Sequence, residues 1–149
     1  MADTPAPEWW FYHLSRTTLE QAAAPLMAKC LEAGWRVLAV SPNAERRAAL
    51  DAALWTYEDK SFLPHGQAEA PGLDAKRQPI LLSAKAENVN GAAALVLMDG
   101  VEVPVDAPYT RCMVMFDDGD SGARTKARAQ FKAAKDAGLV TRYFQQTPK

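Results

Sequence analysis

The chain has 149 residues, 48% of them apolar, which is enough for one domain with a real core and too little for two of ordinary size. Seventeen basic residues meet eighteen acidic ones, for a net charge of −1. That balance excludes a global electrostatic case for nucleic-acid binding, so any basic site has to be local.

The opening MADTPAPEWWFYHL has no basic region ahead of an apolar run, so no secretory signal is expected. Its aromatic stretch Trp9 to Leu14 has the length of a strand. Ser15 or Thr17 then suits a helix cap, with Glu20 three residues after Thr17 as in a capping box. LEQAAAPLMAKCLEAG follows with Leu19, Ala23, Leu26, Met27 and Cys30 at helical spacing, Pro25 inside, and Gly34 as the stop. WRVLAVS is a short continuous apolar run, as in a strand covered on both faces. Ser41 or Asn43 opens a second helix through LDAALW.

Thr56 to Gln78 reads as a polar loop rich in Pro and Gly, and it carries the aromatics of LWTYEDKSFLPHG. Strand-like runs return at 79–83, 93–100 and 112–117. A helix spans about Ser121 to Ala137 and stops at Gly138, and LVTRYFQQ forms a final strand. Alternating strands and helices with short connections predict an α/β fold: a doubly wound, mostly parallel sheet flanked by helices, in a single domain over 1–149.

Such folds commonly hold nucleotides, yet the hardware is missing. SRTT and SPNAER follow the first two strands without glycine, and neither a phosphate-binding loop nor a dinucleotide fingerprint occurs. A small phosphate- or nucleotide-binding enzyme of this class stays open as an alternative, through a bare helix N-terminus. Gly119-Asp120-Ser121-Gly122 matches a protease tetrapeptide, but it opens a helix in an α/β pattern and reads as a turn and cap. His13 and His65 have no neighbour at metal-ligand spacing. Cys30 and Cys112 form no C-x-x-C pair and read as buried thiols of a reducing compartment. No catalytic group, metal or cofactor is expected. No apolar run reaches the roughly 18 residues of a membrane span, so a cytoplasmic location is expected.

The most pointed local feature is ARTKARAQFKAAKDAG, residues 123–138. At about 100° per residue, Arg124, Arg128, Phe131, Lys132 and Lys135 share an arc of roughly 100°, beside a face of alanines. A solvated helix face is one reading, with basic stems covering apolar neighbours. The other is a site for an acidic partner, with paired arginines for carboxylates or phosphates and Phe131 as an apolar wall. A peptide ending in acidic residues and an aromatic fits it, and single-stranded nucleic acid stacked on Phe131 fits it less well.

In the FYHL strand, the GWRVLAV strand, LDAALWTYEDKSFLPHG and the R-x-x-F-K-x-x-K-x-A-G helix, the chain resembles the chi subunit family of bacterial DNA polymerase III holoenzyme. The resemblance runs over essentially the whole chain and rests on the order and spacing of these stretches. It implies a nucleotide-binding-like fold without a nucleotide site, and a non-catalytic accessory subunit of the clamp loader. The partners it implies are the psi subunit and the acidic, phenylalanine-ended C-terminal tail of single-stranded DNA-binding protein (SSB). Through SSB it implies an indirect link to single-stranded DNA. An iron–sulfur helicase of the XPD type would compete with psi. Matched residue by residue, the tail site falls on Arg124, Arg128, Phe131 and Lys132, with Phe131 standing where the family often has tyrosine. The psi-facing patch falls on Trp55, Phe62, Pro64 and His65.

Overall fold

The computed structural model describes residues 7–56, 65–68, 74 and 78–146. Seven strands and three helices follow one another among these residues: β1 Glu8–Leu14, α1 Leu19–Glu32, β2 Val37–Val40, α2 Ala44–Trp55, β3 His65–Gln67, β4 Ile80–Ser83, β5 Ala94–Leu97, β6 Arg111–Asp117, α3 Ser121–Asp136 and β7 Thr141–Gln145. The strands form one sheet in the order β3-β4-β2-β5-β6-β1-β7, and every described pairing is parallel. The doubly wound reading holds.

Parallel strands buried on both faces need no polar alternation, which is why VLAV and ALVL are apolar throughout. Successive side chains feed two separate cores. Val37, Ala39, Ile80, Val96, Met113 and Met115 pack under α1 and α2. Trp9, Phe11, Leu38, Leu95, Cys112 and Val114 pack under α3 and under the 98–110 connection. That connection is pinned where the Trp9 Nε1–H donates to the Val105 carbonyl at 3.1 Å.

Two expectations need correction. The first helix is capped by Thr18, whose Oγ1 accepts from the Gln21 N–H while Gln21 Oε1 takes the Thr18 N–H, so the capping box is Thr18–Gln21 rather than Thr17–Glu20. The reason is remote: Gln146 Oε1 accepts the N–H groups of Ser15, Arg16 and Thr17, holding them in a turn and delaying the helix. The segment 56–78, expected as loop throughout, contains β3, which pairs in parallel with β4. The helix α1 continues across Pro25, and Gly34 at φ 83° ends it as expected. Asn43 rather than Ser41 caps α2, and Asp120 caps α3.

Arg46 ties the α1 and α2 layer to the turn after β5. It donates to Glu20 Oε2 at 2.9 Å and to both oxygens of Asp99 at 3.2 and 3.4 Å. Asp99 sits at φ 57° and also accepts from Ser41 Oγ at 2.6 Å. Arg46→Ala leaves two partly buried carboxylates without their cation and is expected to lower stability by about 1–3 kcal/mol. A urea titration with a lower midpoint and unchanged slope checks this.

Candidate functional site

Ala123, Ala127, Gln130 and Ala134 are the buried side of α3, small enough to bring the helix close to the sheet. That packing sets the register of everything on its flank. Phe131 is half-buried and meets the Phe11 ring edge-on at 5.1 Å and the Tyr143 ring at 5.9 Å. The Lys135 ammonium lies 5.2 Å from its centroid. Arg124 reaches back to the Asp118 carbonyl at 3.3 Å. Lys132 turns to Asp136 at 2.8 Å, an exposed pair with little energetic weight. Arg128 is exposed and makes no hydrogen bond or ion pair with the described residues.

Behind the arginines runs a hydrogen-bonded chain that no local motif announces. Buried His13, at the end of β1, places Nε2 at 2.6 Å from Asp118 Oδ1 and Nδ1 at 2.7 Å from the Tyr143 hydroxyl. A carboxylate only accepts, so Nε2–H donates to Asp118, and in the neutral ring Nδ1 accepts the Tyr143 O–H. The phenol is thereby oriented, with its oxygen still able to accept. Burial raises the Tyr143 pKa, while the Arg128 and Arg124 cations pull it down and Asp118 adds to the rise. The site is therefore a half-buried Phe131–Tyr143 wall flanked by Arg124 and Arg128, with Lys132 and Lys135 along the same helix.

The second sequence-derived patch lies at the far edge of the sheet. Trp55, the last residue of α2, is 58% exposed. His65, in β3, meets it edge-on at 5.6 Å. The His65 side chain is buried, with Nε2 at 2.9 Å from Asp51 Oδ1, so it stands beneath Trp55 rather than beside it on the surface. Phe62 and Pro64, like Tyr57, lie outside the described residues.

The crevice that would hold a phosphate in a doubly wound fold opens where neighbouring strands send their connections to opposite faces. Here those strands are β1, leading to α1, and β6, leading to α3. The N–H groups of residues 15–17 converge there at 2.8–3.3 Å on Gln146 Oε1. An internal carbonyl fills the anion's place, so these N–H groups are already satisfied and a phosphate at this position is disfavoured.

The family model described as DNA polymerase III chi subunit, HolC, matches residues 7–142. The chain belongs to that family. A protein of Rickettsia prowazekii (strain Madrid E) named "Probable DNA polymerase III subunit chi" is 28% identical over 92 residues, covering 62% of this chain. The chain thus spans about half, 54%, of that relative's length. Among the described residues, no helix is long and apolar enough to cross a membrane and no group of three or more His, Cys, Asp or Glu is placed to hold a metal.

The chi-family residues expected at the tail site do gather on one helix face, although Lys132 already holds an acidic neighbour. Sequence reasoning missed His13, Asp118 and Tyr143 as members of the same neighbourhood. His13 was read only as a strand residue without a local partner, and nothing local pointed to one 130 residues away.

Proposed function

We propose that this chain is a non-catalytic bridging subunit of the clamp loader, joining the psi subunit to the acidic C-terminal tail of SSB. The observation that carries the reading is Arg128: an exposed guanidinium without a carboxylate among the described residues, one turn from Arg124 and beside the Phe131–Tyr143 wall. A terminal carboxylate on Arg128, an aromatic side chain on that wall and upstream acids on Arg124, Lys132 and Lys135 use every group present. The oriented Tyr143 phenol lies among these cations and supplies a hydroxyl that Phe131 lacks.

The psi partner, or an iron–sulfur helicase of the XPD type in its place, docks at the opposite edge. Trp55 is the anchor there, as an exposed indole braced by a buried histidine. The strand order puts β3 at one end of the sheet and β7 at the other, so the two partners bind without exclusion.

Pulldown from cell extract with wild type, Trp55→Ala and Arg128→Ala tests the bridge. Trp55→Ala is expected to lose psi and keep SSB, and Arg128→Ala the reverse. Loss of both partners from either variant, with the fold intact by circular dichroism, counts against two independent sites.

A further inference from the structure

The face of the sheet opposite α3 carries a second basic and aromatic surface that the bridging role does not use. It lies where α1 meets β1, β6 and β7. The Arg111 guanidinium is stacked 3.6 Å from the Trp10 ring and 5.0 Å from Trp35. Its Nε is buried and finds no hydrogen-bond partner. Beside it opens a half-enclosed groove of about 260 Å³ lined by Trp10, Tyr12, Lys29, Trp35 and Arg111.

A second groove of about 240 Å³ adjoins it through Tyr12 and Leu26, with Phe144 as its outer wall. Phe144 is 44% exposed and stacks on Tyr12 at 5.1 Å. Arg142 lies 5.5 Å from the Trp10 ring. Among the described residues, neither groove is lined by an aspartate or glutamate. The nearby Glu8 carboxylate accepts from the Trp10 indole at 3.1 Å.

We infer that this face binds single-stranded nucleic acid directly, with bases on Phe144 and Trp35 and phosphates on Arg111, Arg142 and Lys29. Each groove has room for one base. A guanidinium stacked on one indole and close to a second is held with its N–H edge left to read a phosphate. Ring, cation, ring repeats the base–phosphate–base order of a single strand, which a duplex with its bases turned inward does not offer. Lys29 and Arg111 in the lining, with Arg142 beside it and no acid among the described lining residues, give the charge complementarity that the whole chain, at −1, lacks.

The test is fluorescence anisotropy of the full chain with a labelled short oligo-dT at low salt. Binding is expected in the micromolar range, with a log–log salt slope of roughly −2 for three phosphate contacts. Phe144→Ala is expected to weaken it at least about fivefold through lost stacking. Arg142→Ala is expected to flatten the slope by roughly 0.7. Both side chains are exposed, so the variants remain folded even if Arg111→Met does not. Arg128→Ala, on the other face, is expected to leave binding intact. That arm separates this inference from the tail reading, which fails or stands on peptide binding alone.

No binding at about 100 µM protein overturns the inference. So does an affinity indifferent to Phe144→Ala, or one abolished by Arg128→Ala. Capture of an acidic peptide here while oligo-dT does not compete identifies a peptide site instead.

Discussion

Arg128→Ala is expected to weaken the binding of an SSB tail peptide at least about tenfold, corresponding to roughly 1.5–3 kcal/mol for one charge-assisted contact. The size follows from the setting. Arg128 is exposed and spends no hydrogen bond on the described residues, so the peptide gains its full donor set. The adjoining Phe131–Tyr143 wall excludes water from one side of the contact, which strengthens it. Lys132→Ala is expected to do less, because Lys132 must first leave Asp136. The fold should not respond, since the buried side of α3 is Ala123, Ala127, Gln130 and Ala134. Anisotropy titration with a labelled peptide measures both variants, and amidating its terminal carboxylate should mimic Arg128→Ala. An unchanged affinity in Arg128→Ala would remove the tail site from α3.

Stability is expected to collapse in alkali, through a thiol. Cys112 is fully buried between β1 and β5, and that burial pushes its pKa from 9.0 to about 12. A folded pKa above the unfolded one means the stabilisation is complete below about pH 9. It is lost as pH rises toward about 12, because the unfolded chain releases its proton first. The slope approaches 1.4 kcal/mol per pH unit, for a total on the order of 4 kcal/mol. Tyr12, raised by burial from 10.0 to about 12, adds to the loss over the upper part of that window. Urea midpoints measured from neutral pH upward should fall steeply. In Cys112→Ala the baseline is lower but the fall should be shallower by about one proton. Parallel curves for the two proteins would show that the thiol does not govern the alkaline limb.

Most of the fold was legible because its signals are local. VLAV in β2 and the alanine-backed basic stripe of α3 declare themselves within one element, by apolar continuity and by helical period. β3 did not, since His-Gly-Gln has no strand character and becomes a strand only by pairing with β4. The cap of α1 moved to Thr18 for a similar reason, because Gln146 holds the preceding turn from the other end of the chain. At the site, the helix supplied Arg124, Arg128, Phe131 and Lys132 from sequence alone. The wall behind them, Tyr143 oriented by His13 and Asp118, is assembled from three elements and left no trace in any one of them. His65 shows the converse: the chain position was right for the Trp55 neighbourhood, but only tertiary packing shows that the imidazole is buried.

The strand order also decides how the molecule carries load. Partners at the β3 and β7 edges would be separated by six strand spacings, about 29 Å. A pull between them runs across the sheet, along the inter-strand hydrogen bonds, so it opens each ladder in tension instead of shearing a whole strand at once. The β1–α1–β2 crossover counters this. It joins the sixth strand to the third and straps β5 and β6 between its ends. Every ladder then carries the same tension in series, so β3 and β7, which lie outside the strap, would part first and the strapped middle of the sheet last.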